Sequence, residues 1–363
     1  MIPMPSNMKE NVLGSTLTTM RVGGVVRYHA RASSSYQLQE CLAYANQQGI
    51  PYAAYGAGSN LLLADEGYGG LLIQMGGGSI RILGRYEADA YGAQAKNVQS
   101  GKNSAARYAN EDKEGMLKLA ALAEREEEGE TIVVEMSAGI PWGQAVAFSL
   151  KESLEGLQWY ARIPCTVGGA TYNNIHAEQH LLSEVVCAVR SLDPETGREE
   201  LWLAEELEFG YDTSRFHATP GIITSVFFAL KKVGPVRAKE NQDLYLGWTA
   251  QKAIVQPSGP SAGSVFKNIT HGQARSIGQE AVAAGWYIDK AGLKGRSIGG
   301  MHVYGGHANF IVNTGAGTQK DFISLVGIIR QSVFEAYGIV LEPEIECWDL
   351  YGKAHIWPPT TSR

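Results

Sequence analysis

The sequence predicts an α+β fold of two or more packed units, and three observations carry that expectation. At 363 residues the chain exceeds the size at which one hydrophobic core keeps growing. Strand-type apolar runs alternate with runs of helical spacing, and many strand-type runs are paired, which favours α+β units over one doubly wound sheet. Small-residue turns also interrupt the apolar runs repeatedly, most densely at Gly56 to Gly70, GAGSNLLLADEGYGG.

Taken in order, Val25 to Ala30 reads as a strand. A helix follows, with Ser35 as its cap, Leu38, Cys41, Leu42 and Ala45 on one face, and Gly49 as its stop. The segment from Ile50 to Met75 is β-α-β-like with a middle too short for a helix, its second apolar run being Leu71 to Met75. Residues 86–128 are polar and read as a surface insertion, with a lid as the alternative and a possible helix in MLKLAALAEREEE.

A strand over Thr131 to Met136 leads through a glycine turn into a helix that begins near Trp142. CTVGGATYNNIHAE reads as a tight glycine-rich segment. A hairpin then turns at Pro194 to Gly197, a short helical piece follows it, and IITSVFFALKKV is a strand. Residues 234–260 are polar and read as irregular. The last part has helical spacing in AAGWYIDKAGLKG, a strand in ANFIVNTG, an amphipathic helix bearing Phe322, Leu325, Val326, Ile329 and Val333, and a closing strand in IVLEPEIECW.

Composition narrows the function classes. Apolar residues at 44% and charged residues at 19% mark a globular chain rather than a disordered one. A net charge of −6 offers no broad cationic surface for a nucleic-acid backbone. The first residues lack a charged-then-apolar leader pattern, and no stretch has the length and apolarity of a membrane span, so a cytoplasmic protein without a membrane partner is expected. Cys41, Cys165, Cys187 and Cys347 are too scattered for a disulfide framework and lack zinc spacing. His302 and His307 are separated by glycines, and no metal triad appears.

The glycine turns point to a ligand. Gly56 and Gly58 let the backbone bend and approach a bound group, while Ser59 and Asn60 place a hydroxyl and an amide beside N–H donors suited to a pyrophosphate. A turn joining two buried strands is the structural alternative. Similar turns recur at Ala138-Gly139, at TVGGAT (166–171) and at Gly299 to His307. Several such turns converging on one elongated ligand would hold a dinucleotide without a G-x-G-x-x-G fingerprint, of which GAGSNL has only the first half.

The motifs TTMRVGG (18–24), YGAGSNLLLADEGYGG (55–70), SAGIPWGQAV (137–146), GLQWYARIPCTVGGATYNN (156–174), FGYDTSRF (209–216), SAGSVFKN (261–268), AAGWYIDKAGLKG (283–295), IGGMHVYGGHANFIVNTG (298–315) and LEPEI (341–345) stand in one order. In that order the chain resembles the UDP-N-acetylenolpyruvoylglucosamine reductase family, within the vanillyl-alcohol-oxidase-type (VAO/PCMH) FAD-binding superfamily.

The resemblance implies an FAD-binding domain over 1–228, made of α+β subdomains at about 1–80 and 130–228 with an insertion at about 86–130. A MurB C-terminal-type α+β substrate domain over 229–363 would follow. It further implies FAD as cofactor, NADPH as electron donor and a nucleotide-sugar substrate: a hydride passes from flavin N5 to the enolpyruvyl carbon C3 while a serine protonates C2. Ser264 matches that serine and Glu344 the acid paired with it. Cofactor contacts fall on Gly56, Ala57, Gly58, Ser59, Asn60, Gly139, Thr166, Gly168, Gly169 and Asn174, and substrate contacts on Tyr211, Arg215, Lys267 and Asn268. Tyr172, Asn174 and Asn309 are candidates for hydrogen bonds to flavin or sugar, with satisfaction inside the protein as the alternative.

The chain also departs from the family pattern. Asp212 stands where the family carries an arginine after FGY, and Glu346 where it prefers one after LEPEI. Cys165 replaces a glycine, and Asn174 is followed by Ile175-His176 rather than Gly-Ala-Tyr-Gly. An aspartate repels a carboxylate that an arginine would bind. An FAD oxidoreductase of the same fold with another substrate is therefore an alternative, as is a non-catalytic flavin-binding protein. Cys165 reads as a small buried thiol, with flavin tethering through Cys165 or His176 as its alternative. His176 near a flavin could help stabilise charge.

Overall fold

The structure is a computed structural model that describes residues 2–85, 130–354 and 357–360. The expected insertion and its helix lie outside the described residues. Helices and strands are mixed as the α+β expectation requires, and residue contacts divide the chain into two compact units. One unit comprises Met1–Ala30, Tyr44–Ile73 and Ala250–Arg363; the other comprises Arg31–Ala43 and Gln74–Thr249. No helix among the described residues is long and apolar enough to cross a membrane.

In the first unit the leucine run between the glycines is a strand, Leu61–Leu63. It pairs in parallel with Glu346–Asp349, which turns back on Gly352–Ala354. A strand alternates its side chains between two faces, and both faces here are covered. Leu62 enters a core with Val326, Ile329 and Cys347, while Leu61 and Leu63 pack with Tyr68 and Trp348. Burial on both faces is why the run has no polar residue.

A second sheet orders Ser261–Ser264, Phe310–Asn313, Met301–Val303 and Ser297–Ile298. Against its core lies the helix Gln319–Tyr337, whose Phe322, Leu325, Val326, Ile329 and Val333 are all buried at the spacing the sequence showed. Thr318 caps it by accepting from the Asp321 N–H at 3.0 Å, and Asp65 accepts from the Gln319 N–H at 2.7 Å, so the first free amides have partners. Gly338 ends the helix in the left-handed conformation.

The second unit is built on an antiparallel sheet ordered Glu199–Leu203, Val186–Leu192, Ile222–Lys232, Thr131–Ser137 and Ile80–Arg85. The helices Trp142–Lys151 and Val167–Tyr172 share its apolar core. Chains approach closely around Gly139, where an added Cβ would sit 2.5 Å from the Gly76 nitrogen. At Gly168 it would sit 2.8 Å from the Ala138 Cβ. Both glycines are thus required by packing, before any ligand is considered.

Four local expectations are corrected. Residues 234–260 are not irregular: Pro235–Val255 is a helix. Only Asn241 on it is buried, so it shows no apolar stripe; Pro235 at its start and the Lys239–Asp243 ion pair of 2.5 Å are the local signals for it. The segment after Cys165 is a short helix capped by Thr166 rather than a run of tight turns. The helix Ser35–Gln48 is capped by Ser34, whose hydroxyl accepts from the Gln37 N–H at 3.3 Å; Ser35 bonds Glu199 instead. The closing strand is only Glu346–Asp349, because LEPEI runs beside residues 265–267 through scattered backbone bonds.

Leu62→Ala should lower stability by about 2–5 kcal/mol, since it empties a fully buried site. Ile254→Ala, at a side chain 79% exposed, should change it by less than about 0.5 kcal/mol. Urea denaturation of both variants measures the contrast.

Candidate active site

In the first unit the residues of the GAGSN turn and of the Ser264 strand are tied together through one threonine. The Gly58 carbonyl accepts from the Thr19 N–H at 3.1 Å, and the Thr19 hydroxyl donates to the Ser261 carbonyl at 2.7 Å. Gly58 has φ +66, and a Cβ there would lie 2.3 Å from the Leu17 carbonyl oxygen, so only glycine fits. The N–H groups of Ala57, Gly58 and Ser59 donate to no acceptor among the described residues, although Gly58 itself is buried. Successive undonated amides at a left-handed bend form a concavity for an anion, and a diphosphate is of that chemistry.

Asn60 continues the linkage. Its side-chain amide donates to the Glu344 carbonyl at 3.2 Å, and its own carbonyl accepts from the Glu346 N–H at 3.0 Å. Glu344 in turn donates its N–H to the Val265 carbonyl at 2.8 Å, Phe266 bridges Pro343, and Lys267 donates its N–H to the Glu342 carbonyl at 2.9 Å. Ser264 and Glu344 therefore belong to neighbouring antiparallel segments, offset by one residue.

Ser264 is aimed by an irregularity. Ser261 pairs Val312 and Ser264 pairs Phe310, so the strand gains a residue, and Gly263 at φ +79 absorbs it. A Cβ on Gly263 would meet nothing within 4 Å, so conformation rather than space requires glycine there. Buried Asn309 holds the next two residues: its carbonyl accepts from Val265 N–H at 2.8 Å and its side chain exchanges two bonds with the Phe266 backbone. That engagement is the internal role which stood beside a contact to flavin or sugar as the alternative for Asn309. Lys267 is paired with Glu342 at 2.7 Å, and exposed Asn268 accepts from the Ala284 N–H at 3.1 Å at the start of helix Ala284–Lys290.

In the second unit Thr166 accepts from the Gly169 N–H at 3.2 Å, and Gly169, unlike Gly168, has room around it for a Cβ. Asn174 is buried; it donates to the Gly210 carbonyl and accepts from the Ser183 N–H, both at 2.8 Å. It thereby ties the 174–176 segment to the turn that carries Tyr211 and Asp212. Arg215 lies over the Trp202 ring at 3.4 Å and donates to the Glu206 carbonyl at 2.7 Å. Tyr172 packs against His217 at a tilt, with ring centroids 4.0 Å apart.

The two acidic departures each have a cationic or ionisable partner of their own. Glu346 pairs with Lys353 at 2.6 Å, and Asp212 Oδ1 lies 3.1 Å from His176 Nδ1. Burial pushes the Cys165 thiol up to about 12, so it stays protonated and poorly nucleophilic at neutral pH. Burial, and then the charge of Lys294, hold His307 below the ordinary imidazole range. Among the described residues no group of three His, Cys, Asp or Glu side chains could hold a metal.

Sequence reasoning missed Thr19 and Gly263. Thr19 was visible within TTMRVGG, but a threonine that clamps two carbonyls looks like any other. Gly263 carried a signal, a glycine directly before the candidate serine.

The family described as the UDP-N-acetylenolpyruvoylglucosamine reductase C-terminal domain matches residues 256–348, and the FAD binding domain family matches residues 86–200. A UDP-N-acetylenolpyruvoylglucosamine reductase of Synechococcus sp. (strain JA-3-3Ab) is 32% identical over 91% of this chain and 87% of its own length. The Thermotoga maritima reductase of the same name is 31% identical over 91% of this chain and 95% of its own. The crystal structure of UDP-N-acetylenolpyruvylglucosamine reductase (MurB) from Thermus caldophilus superposes with a TM-score of 0.65 at 27% identity, covering 94% of this chain and 99% of that one.

The fold and these matches define an FAD-dependent oxidoreductase. A glycine turn joined through Thr19 to a serine-bearing strand is consistent with that class. Within it, the chain belongs to the UDP-N-acetylenolpyruvoylglucosamine reductase family.

Gly58→Ala should displace the turn from Leu17 and cost most of the bound FAD. Flavin absorbance per protein after purification measures it, and Gly143→Ala, where a Cβ meets nothing within 4 Å, should keep full loading.

Proposed function

We propose that the protein reduces the enolpyruvyl group of UDP-N-acetylglucosamine enolpyruvate to give UDP-N-acetylmuramate, with FAD bound and NADPH as electron donor, in the cytoplasm. The single observation that carries this reading is the register of the 264–267 and 342–344 segments with Asn60 bonded to Glu344, which groups the glycine turn, the serine and the acid. Bound FAD would supply hydride chemistry, taking reducing equivalents from NADPH and delivering hydride from N5 to the enolpyruvyl carbon C3.

The chain's own residues have the remaining work. Ala57, Gly58 and Ser59 offer amides to the cofactor diphosphate, and the free space at Gly169 lets a ligand approach Thr166 to Asn174. Addition of hydride at one alkene carbon leaves carbanion-like density on its neighbour, which a hydroxyl within reach relieves by proton transfer. Ser264 is that donor in this proposal, and Glu344 is the acid that supports it. Tyr211, Arg215, Lys267 and Asn268 are the proposed substrate contacts, Lys267 and Asn268 toward a phosphate. The functional division, 1–228 for FAD and 229–363 for substrate, is part of the same proposal.

Asp212 favours a second reading, an FAD oxidoreductase of this family with another substrate, because a buried carboxylate is a poor receptor for an enolpyruvyl carboxylate. An anaerobic experiment separates the two. NADPH should bleach the flavin absorbance, and UDP-N-acetylglucosamine enolpyruvate should restore it; bleaching without restoration by that compound would reject the first reading.

Ser264→Ala should leave flavin reduction by NADPH within about twofold and slow reoxidation by substrate about 10²–10⁴-fold, the usual contribution of a positioned acid. Equal slowing of both half-reactions in a stopped-flow measurement would remove Ser264 from the proton-donor role.

A further inference from the structure

Gly327 stands in the middle of the helix Gln319–Tyr337, where glycine is a poorer helix former than alanine and so needs a reason. The 357–360 segment supplies it. A Cβ on Gly327 would lie 3.1 Å from Pro358 Cγ and 3.4 Å from Pro358 Cβ, so the missing side chain makes room for that proline. Arg330, on the same helix face, donates from Nη1 to the Pro358 carbonyl. Trp357 packs against the core beside Phe322, with ring centroids 6.4 Å apart.

The same guanidinium holds a second carbonyl. Its Nε donates at 3.0 Å to Leu341, the first residue of LEPEI. Among the described residues no carboxylate pairs with Arg330, and burial holds its guanidinium below the ordinary arginine value. Hydrogen bonds from a charged donor are stronger than those between neutral groups. The planar fork also fixes two acceptors relative to each other, which a lysine ammonium does not.

Leu341 is the near end of the segment that carries Glu344. It is fully buried in the core with Phe322 and Ile329, and only Ile339 and Val340 separate it from Gly338, where the helix ends. The other end of the segment lies against residues 265–267. The Glu342 carbonyl accepts from the Lys267 N–H, Pro343 bridges Phe266, and Glu344 donates its N–H to the Val265 carbonyl at 2.8 Å. The Arg330 bond therefore fixes how the chain enters this register from the helix side.

We propose that Arg330, braced by the 357–360 segment at Pro358, is a positioning residue that sets Glu344 in register with Ser264. The inference rests on the reading of Ser264 and Glu344 as the pair that delivers the proton. Arg330 acts through the Leu341 carbonyl, and the 357–360 segment acts through Arg330. Loss of either contact lets residues 341–344 shift, and a displacement of about 1 Å at a reacting group costs on the order of 10²-fold in rate. Reduction of flavin by NADPH does not use Glu344 and is not exposed to that shift.

Anaerobic stopped-flow measurements on the FAD-loaded full chain separate the two half-reactions. Arg330→Ala should slow reoxidation by saturating UDP-N-acetylglucosamine enolpyruvate roughly 10–100-fold. The half-saturating concentration of that compound, and the rate of flavin reduction by NADPH, should stay near wild type. Gly327→Leu, which pushes Pro358 away and keeps Arg330, should slow the same step by less; it also serves if Arg330→Ala fails to load flavin. Added guanidinium ion should restore part of the Arg330→Ala rate where ammonium does not, and no restoration, or equal restoration by both, overturns the role of the fork.

Reoxidation at the wild-type rate in both variants, or equal slowing of both half-reactions, overturns the clasp. A wild-type rate in Gly327→Leu beside a slow Arg330→Ala removes the 357–360 segment from it. Glu344→Gln distinguishes these failures from failure of the underlying reading. If Glu344→Gln is slow in reoxidation while both clasp variants are not, the clasp alone falls. If Glu344→Gln reoxidises at the wild-type rate, the role of Glu344 falls and the clasp falls with it.

Discussion

The first unit's candidate site depends on one constraint, that three stretches of chain far apart in sequence share hydrogen bonds to backbone carbonyls at a bend only glycine can make. Thr19 and Ser261 are 242 residues apart and joined by one bond of 2.7 Å; Asn60 and Glu344 are 284 apart and joined by another. Such bonds are individually modest. Their effect is geometric: they specify where the amides of 57–59 lie relative to the strand that ends in Ser264. The parallel pairing of Leu61–Leu63 with Glu346–Asp349 anchors the same junction in the core, on two apolar faces at once.

Glycines in this chain do two different jobs that look alike in sequence. Gly139 and Gly168 are small because backbone or side-chain atoms lie against them, and Gly58 is both crowded and left-handed. At Gly263 an added Cβ would meet nothing, and only the torsion requires glycine. A ligand-binding interpretation of every glycine turn would thus overstate the case, since packing alone accounts for Gly139 and Gly168. The amides of 57–59 are a separate kind of observation, since among the described residues they donate to no acceptor.

The acidic departures from the family pattern also look different in three dimensions. Read along the chain, Asp212 and Glu346 are uncompensated reversals of charge. In the fold, Glu346 faces Lys353 across a tight hairpin, and Asp212 meets His176, itself a departure from the pattern. Two unusual residues 36 positions apart that contact each other form a pair, which neither position reveals by itself.

The sequence by itself determined the strands and helices whose apolar period is strong, such as the Phe322 to Val333 face, and the family, through ordered motifs whose glycines and polar residues local chemistry requires. It could not show the helix Pro235–Val255, which buries almost nothing and so carries no stripe, nor the cap at Ser34, one residue from an equally suitable Ser35. Only the tertiary structure decided which partners polar groups have within the protein: Asn309 bonds the Phe266 backbone, Asn268 the Ala284 N–H and Arg215 the Glu206 carbonyl, whereas among the described residues the amides of 57–59 donate to none. The reason is that a hydrogen-bonding side chain is satisfied by whichever partner the fold brings within about 3 Å, and contacts between residues hundreds of positions apart leave no local trace.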